Sequence, residues 1–202
     1  MIQYNSVKSR ESAVSPVVGV MLMLVVTIII AALVSAFSGS LAGGQTKTPQ
    51  ATIDADFSIT DGMVIRHTGG DSLPTGDIQL TLWDGPTFGS NAEQSTKQVL
   101  DFGNLTDSTG QAIQSESGVF NTTAFVPGDV FTMSTANCDC AILQPNIVPT
   151  DYESGSGSYN GTQTARWGLC IKNPKNIGKD FYLSMSDKKG NLIAKTTVKV
   201  TG

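Results

Sequence analysis

The chain has 202 residues, of which 15% are charged and 40% hydrophobic, and its formal net charge at neutral pH is −4. This length suits one folded domain with an added segment, and the composition is that of a protein that folds. The acidic balance and the low aromatic content argue against nucleic-acid binding, because binding to phosphates depends on clustered Lys and Arg side chains.

The N-terminal part of the chain differs sharply from the rest. No Asp, Glu, Lys, Arg or His occurs between Ser12 and Thr46. Within this stretch, Val17 to Phe37 is apolar apart from one Gly, one Thr and one Ser, and a helix of that length would extend about 30 Å. Such a helix can cross the hydrocarbon core of a bilayer. The sequence therefore predicts a membrane-spanning helix.

The residues that flank the apolar run indicate its ends and its orientation. Pro16 is tolerated in a first helical turn, and Gly43 and Gly44 are typical of the flexible linker after a helix. Lys8 and Arg10 precede the run. Because basic residues stay on the cytoplasmic side, we expect a cytoplasmic N-terminus and an exterior body.

Three interpretations of the apolar run remain open on these grounds. A secretory signal peptide has a shorter apolar core followed by a cleavage site with small residues, which fits this run poorly. A plain membrane anchor fits every physical argument. A prepilin leader requires a cut before the apolar run, so that the helix stays with the mature protein.

The stretch Glu11–Ala32, ESAVSPVVGVMLMLVVTIIIAA, closely resembles the N-terminal segment of archaeal type IV pilins. Their signature is a short charged leader, a V-S-P-V-x-G start and a helix rich in Val, Ile and Leu. In that family a prepilin peptidase cuts just before the apolar run, which corresponds here to the bond between Ala13 and Val14.

The resemblance implies a leader at 1–13, an apolar helix at 14–42, a linker at 43–50 and an extracellular body at 51–202. It also implies that the helix is first a membrane anchor and then packs against other copies of the chain in a filament. The implied partners are the membrane, the prepilin peptidase, the assembly ATPase with its platform, and further copies of the chain in a helical homopolymer. The implied filament-packing residues are Val17, Val18, Gly19, Met21, Leu22, Leu24, Val25, Ile28, Ile29, Ala32 and Phe37.

After the linker the pattern changes to a period of two. From Ala51 to Thr60 apolar and polar residues alternate, which predicts a half-buried strand, and Asp61-Gly62 predicts a turn into a return strand. Further strands are predicted at Ile78–Trp83, Lys97–Phe102, Asp129–Ser134, Ala141–Gln144, Arg166–Lys172, Phe181–Ser186 and Leu192–Val200. We therefore expect an α+β chain, with the apolar helix followed by an all-β antiparallel, immunoglobulin-like sandwich.

Two polar segments of the body stand out. His67-Thr68-Gly69-Gly70-Asp71 resembles a recurrent turn of archaeal pilin heads, and its glycines and Asp71 favour a structural turn over a catalytic site. Thr150–Thr162 is rich in Ser and Gly around two tyrosines, and is expected to be a polar loop or hairpin tip.

Three Asn-x-Thr sequences, at Asn104, Asn121 and Asn160, are candidates for N-glycosylation. Each lies in polar, turn-rich sequence. An exterior body would make all three available to the modifying enzyme, so N-linked glycans are expected.

The three cysteines, Cys138, Cys140 and Cys170, cannot all pair within one chain. An exterior location allows one disulfide, from Cys170 to either Cys138 or Cys140, with the third thiol buried. A zinc site is disfavoured because His67 is the chain's single histidine. No metal or other cofactor is predicted.

Three functions compete. The first is a structural filament subunit for adhesion, without an active site. The second is a membrane-anchored surface binding protein, or a minor pilin that does not form the bulk filament. An anchored exterior enzyme is the least favoured, because neither a nucleophile motif nor a metal-ligand cluster is evident in the sequence.

Overall fold

The computed structural model describes residues 16–42, 48–153 and 158–202. The chain divides into an N-terminal unit that ends at Lys47 and a C-terminal body that begins at Thr48. The leader, Ala13 and Val14 lie outside the described residues.

The N-terminal unit contains one long helix, α1, which runs from Pro16 to Ala42. Proline suits this first position because its missing N–H would have no partner in the first turn. The helix has 27 residues and carries no acidic residue in its first turn and no basic residue in its last. At about 1.5 Å per residue it is about 40 Å long. The predicted apolar helix is confirmed over this range.

The described part of the body contains nine strands. They are β1 (Ala51–Ser58), β2 (Gly62–Gly70), β3 (Leu73–Pro74), β4 (Ile78–Asp84), β5 (Gln98–Val99), β6 (Ala124–Phe125), β7 (Val130–Met133), β8 (Asp180–Asp187) and β9 (Leu192–Thr201). Seven form one sheet in the order β5-β4-β8-β9-β1-β2-β7, and β3 pairs with β6. Neighbours are antiparallel except β1 and β9, which meet in parallel.

Three short helices, α2 (Ala92–Thr96), α3 (Cys140–Leu143) and α4 (Thr162–Trp167), connect the strands together with several 3₁₀ turns. The predicted strands at Ala141–Gln144 and Arg166–Lys172 are therefore wrong. In the first, the Asp139 carboxylate accepts a hydrogen bond from the Ala141 N–H at 3.0 Å and caps α3. In the second, α4 ends in a tight turn, since the Cys170 N–H donates to the Trp167 carbonyl at 3.1 Å.

Alternation along the strands sorts the side chains between two faces. In β1, Ile53, Ala55 and Phe57 are buried, whereas Thr52 and Asp54 are exposed. The hairpin after β1 needs glycine, because Gly62 has φ +95° and an added Cβ would lie 2.2 Å from the Met133 carbonyl oxygen. The predicted first hairpin is confirmed.

One continuous core lies against the inner face of the large sheet. Phe57 and Phe181 meet edge to face at 5.6 Å, and Phe125 stacks on Phe131 at 4.0 Å. Loops and short helices contribute many of the side chains that cover this core: Leu100, Phe102, Leu105, Ile113, Leu143 and Ile171.

The α+β class is confirmed, but the immunoglobulin-like sandwich is not. Within the described residues the large sheet is mixed, and the second sheet has only two short strands. The core is covered largely by loops and short helices, where a sandwich has a second full sheet. The solvated outer face of the large sheet carries the polar positions of the alternating strands.

Candidate functional site

Helix α1 is apolar on every face. The segment Pro16–Ser38 contains an 18-residue window with a mean hydropathy of 3.1, so it is long and apolar enough for a membrane span by length and composition. The hydroxyl of Thr27 donates to the Leu24 carbonyl at 2.8 Å, so its one polar group in the middle turns is satisfied within the helix. A helix without a polar face has to be covered by lipid or by protein on all sides.

No part of this hydrophobic window is buried within the described chain. Its large side chains range from Val26, which is 44% exposed, to Met23, which is 71% exposed. All the predicted packing residues from Val17 to Phe37 lie on α1 and are exposed. These side chains therefore present apolar surface that the helix itself does not cover.

Gly19 is the small residue near the start of α1. A Cβ built there would meet no heavy atom within 4 Å, so the helix itself does not require glycine at this position. A glycine on an apolar helix lets a neighbouring backbone approach closely. This position is therefore available for close helix–helix packing.

The His67–Asp71 motif fastens the start of the body. The Asp71 N–H donates to the Gln50 carbonyl at 2.8 Å, and the Gln50 N–H donates to the Asp71 carboxylate at 3.0 Å. Gly70 has φ +107°, and a Cβ there would lie 2.3 Å from the Gln50 carbonyl oxygen. The motif thus fixes the residue that directly precedes β1.

His67 is buried and contacts the chain between Phe125 and Asp129. Its ring lies 5.0 Å from the Phe125 ring, and its Nδ1 is 3.2 Å from the Phe125 carbonyl oxygen. Its backbone N–H donates to the Asp129 carbonyl, and its own carbonyl accepts from the Gly128 N–H. These contacts agree with the structural interpretation of the motif.

The three sequon asparagines differ in exposure. Asn160 is exposed, together with Thr162. Asn121 is exposed, but its Nδ2 donates to the Ala112 carbonyl at 2.8 Å. Asn104 is half-buried, and it lines with Asn121 a polar cleft of about 690 Å³. Asn160 therefore presents the most accessible side-chain amide of the three.

The three cysteines are all buried thiols, but they occupy two different places. Cys138 belongs to the main core, where its Sγ lies 3.6 Å from the Met133 carbonyl oxygen. Cys140 and Cys170 share a second cluster with Trp167 and Tyr159. Cys138 and Cys140 thus lie in different clusters, although a single residue separates them and Cys140 begins α3.

The second cluster also holds the two tyrosines of the Thr150–Thr162 segment. The rings of Tyr152 and Tyr159 lie 5.5 and 5.8 Å from that of Trp167. The ends of this segment are therefore anchored on the body, and residues 154–157 lie outside the described part of the chain.

Asp84, at the end of β4, carries a buried carboxyl group that no sequence motif singles out. It is 2% exposed, and its Oδ1 accepts a hydrogen bond from Gln144 Nε2 at 2.8 Å. Its Oδ2 has no hydrogen-bond partner among the described residues. Burial raises the pKa of Asp84 to about 8, against opposing effects of Gln144 and Lys179.

Gln144 connects this carboxyl group to the region of the second cluster. Its Oε1 accepts from the Ile171 N–H at 2.7 Å, and its Nε2 also donates to the Leu169 carbonyl at 3.2 Å. A glutamine in a predicted strand carries no sequence signal for this role. The contacts become visible only when β4 and the 169–171 segment are brought together.

A second feature that the sequence did not reveal lies on the outer face of the sheet. Trp83 and Tyr182 are paired across β4 and β8, with ring centroids 5.8 Å apart. The Lys195 Nζ lies 3.9 Å from the Tyr182 centroid and 4.9 Å from that of Trp83. These cation–π contacts hold the lysine over the aromatic pair.

Comparison with known proteins gives two findings. Residues 12–53 match the family described as archaeal type IV pilin, N-terminal. An uncharacterized protein of Archaeoglobus fulgidus is 32% identical over 80 residues, which are 37% of this chain and 55% of that protein. The chain thus spans about half the length of this curated relative.

The family match begins before α1 and extends to the first residues of β1. It includes the VSPVVG start and the entire apolar helix. Over residues 12–53 the chain therefore matches the N-terminal domain of archaeal type IV pilins, which confirms the resemblance first carried by Glu11–Ala32.

Proposed function

We propose that this chain is the structural subunit of an archaeal type IV pilus, a surface filament for adhesion that assembles through α1. One observation carries the proposal: within the pilin domain, α1 leaves its apolar surface uncovered in the described chain. The role is structural and requires no active site.

The energetics of α1 support two successive environments. Covering one large aliphatic side chain is worth about 1.5–3 kcal/mol relative to exposure in water. Every large apolar side chain from Val17 to Phe37 requires such cover. Lipid supplies it in the precursor, and neighbouring subunits supply it in the filament. The helix therefore passes from one apolar environment to the other without release into water.

Packing in the filament depends on shape. Because α1 has no charged side chain, its contacts with neighbouring helices are apolar, and the Gly19 position allows a close approach. The partners of the assembled state are further copies of the same chain.

Processing precedes assembly in this proposal. A prepilin peptidase cuts between Ala13 and Val14, which removes Lys8 and Arg10 together with the leader. The assembly ATPase and its platform then draw the mature helix out of the membrane. The cut lies outside the described residues and is tested by the mass of the mature N-terminus.

N-linked glycans complete the surface in this proposal. The exposure of Asn160 and Thr162 favours this sequon over the other two. Occupancy at Asn121 requires its Nδ2 to leave the Ala112 carbonyl, so we expect lower occupancy there. We expect glycan occupancy to fall in the order Asn160, Asn121, Asn104, and mass spectrometry of the filament protein measures it. Three unmodified asparagines would contradict this part of the proposal.

A charge placed on α1 tests the assembly mechanism. We expect Val25→Asp to abolish filaments, because an aspartate in an apolar helix bundle is left without solvent or a partner. Val119→Asp is the matched control, since Val119 is an exposed valine of the body. Electron microscopy of material sheared from cells counts the filaments. Normal filaments with Val25→Asp would contradict assembly through α1.

The same preparation separates the proposal from its alternative. A membrane-anchored binding protein or a minor pilin would leave the chain in the membrane fraction, with filaments that do not have it as their repeating unit. The proposed function requires the chain to be the repeating unit, with Val14 at its mature N-terminus.

A further inference from the structure

Cys140 and Cys170 lie together in a small buried cluster of their own. Both are 0% exposed and pack with Ile147, Tyr159 and Trp167. The Cys140 thiol is a close enough neighbour to raise the pKa of the Cys170 thiol. The two positions are 30 residues apart in the chain, so the fold and not the local sequence brings these thiols together.

Both backbones are held in place by hydrogen bonds. The Cys140 carbonyl accepts from the Gln144 N–H at 2.9 Å, at the start of α3. The Cys170 carbonyl accepts from the Asn176 Nδ2 at 2.7 Å. Two anchored thiols in contact have little conformational entropy left to lose when they are joined.

Cys138 is in a different position. It packs in the main core with Met133, and no contact with either of the other two thiols is found among the described residues. Although it is separated from Cys140 by one residue, its side chain enters the other cluster of the body. Of the two pairings that the sequence left open, the geometry favours one.

We propose that Cys140 and Cys170 form an intrachain disulfide in the exported protein, and that Cys138 stays a free thiol. The proposal rests on the proposed function, because a disulfide persists in a body exposed outside the cell and not in a reducing cytoplasm.

The oxidation uses the disulfide of an exterior thiol–disulfide oxidoreductase as its electron acceptor. One cysteine thiolate attacks that disulfide, which breaks its S–S bond and gives a mixed disulfide. The second thiolate then attacks the sulfur of the first cysteine, forms the Cys140–Cys170 bond and releases the oxidoreductase. The two electrons and the two thiol protons end on the oxidoreductase, which leaves as a dithiol.

The oxidation occurs before the second cluster has closed. Burial raises the pKa of the Cys170 thiol far above its usual range, and the contact with Cys140 raises it further. Exchange requires the thiolate, so a folded and reduced chain would react slowly. Any measurement of the free thiols therefore has to trap them in denaturant.

The bond would stabilise a region with little regular structure. Between α3 and α4 the chain depends on a few aromatic contacts around Trp167 and on the Gln144 hydrogen bonds. Closing a loop of about 30 residues restricts the unfolded chain and so stabilises the folded one. We expect the largest effect at the second cluster.

Peptide mapping of the full chain from sheared filaments tests the pairing. The protein is denatured without reductant, treated with N-ethylmaleimide and cut on the amino side of each aspartate. This cleavage places the three cysteines on three different peptides, 129–138, 139–150 and 151–179.

We expect peptides 139–150 and 151–179 to be joined, and a single maleimide group on 129–138. Prior reduction should give three modified peptides and no joined pair. Three maleimide groups without reduction would overturn the proposal. A link that involves peptide 129–138, or a link between two chains, would also overturn it.

Alanine variants give a second measurement, by thermal unfolding of the body with and without reductant. Cys140→Ala and Cys170→Ala should each lower Tm by about 10 °C, and the double variant should lower it little further, because either change removes the same bond. Reductant should lower the wild-type Tm and leave the two variants nearly unchanged. Cys138→Ala is the control, and it should retain the full effect of reductant. An equal reductant effect in the wild type and in all three single variants would contradict the bond.

These results are separable from the proposed function. Filaments built from this chain with three free thiols would refute the disulfide and leave the filament role intact. Conversely, a chain that is found only in the membrane fraction would refute the filament role, whatever its cysteines do.

Discussion

Helix α1 and strand β2 are both rich in large aliphatic side chains, but what covers these side chains differs. Ile28 of α1 is 59% exposed, whereas Ile65 of β2 is 0% exposed and lies in the core of the body. The body buries its large apolar side chains within its own core, whereas the large apolar side chains of α1 are exposed. Stability should therefore depend on the body, and assembly should depend on the helix.

The same substitution in both regions gives the strongest test of this difference. Phe131→Ala should lower the free energy of unfolding of the body by about 3–5 kcal/mol, because it removes the ring that stacks on Phe125 and leaves a cavity in the core. Phe37→Ala, at a side chain that is 68% exposed, should leave that free energy unchanged and weaken filament formation. Chemical denaturation and filament counts measure the two effects. An unfolding effect of Phe37→Ala would contradict the division of roles.

Asp84 should make the stability of the body depend on pH. Because the folded pKa of Asp84 is about 8 and its ordinary value is 3.8, the folded state keeps a proton that the unfolded state loses. The contribution of this group to stability is then greatest below about pH 4, falls as the pH rises and is lost above about pH 8.

The loss between pH 5 and pH 7 should be about 2–3 kcal/mol from this group. Asp84→Asn keeps the acceptor for Gln144 and stays neutral, so the variant should lose less stability than the wild type over this range. Denaturant unfolding at both pH values gives the comparison. Parallel stability curves for the two proteins would contradict a raised pKa.

The turn that fastens the start of β1 should respond to a single methyl group. Gly70→Ala combines a strained φ with a collision at the Gln50 carbonyl, and should cost about 1–3 kcal/mol. Gly69→Ala is the matched control, since a Cβ there meets nothing within 4 Å. Thermal unfolding compares the two variants. Equal losses would show that the turn is not fixed by Gly70.

The aromatic pair on the outer face should give the smallest effect. Lys195→Ala should cost about 0.5–1 kcal/mol through its lost cation–π contacts. Lys199→Ala, on the same strand and the same face, has no ring contact among the described residues and should be nearly neutral. Denaturation midpoints of the two variants measure the difference. A larger loss of stability in Lys199→Ala than in Lys195→Ala would contradict a stabilising role of the cation–π contacts.

The regular parts of the molecule could be predicted from the sequence. The unbroken apolar run predicts α1, and alternation predicts β1, β8 and β9, because each of these elements carries its own periodicity. The short apolar runs at 141–144 and 166–172 have no such period, and local capping by Asp139 and the packing of Trp167 decide their structure.

The cover over the core could not be predicted, because it depends on contacts between distant segments. Leu105 and Ile113 lie in irregular sequence without a pattern, yet both are fully buried. The same limit applies to the contact between Cys140 and Cys170 and to the hydrogen bonds of Gln144. The family motif, by contrast, is local and could be identified from Glu11–Ala32 alone.

Cryo-electron microscopy of filaments sheared from cells tests the central claim most directly. The account predicts a helical polymer whose repeating subunit is this chain, which begins at Val14, with α1 packed against the α1 helices of neighbouring subunits. Filaments that lack this chain, or recovery of the chain only in the membrane fraction, would contradict the account.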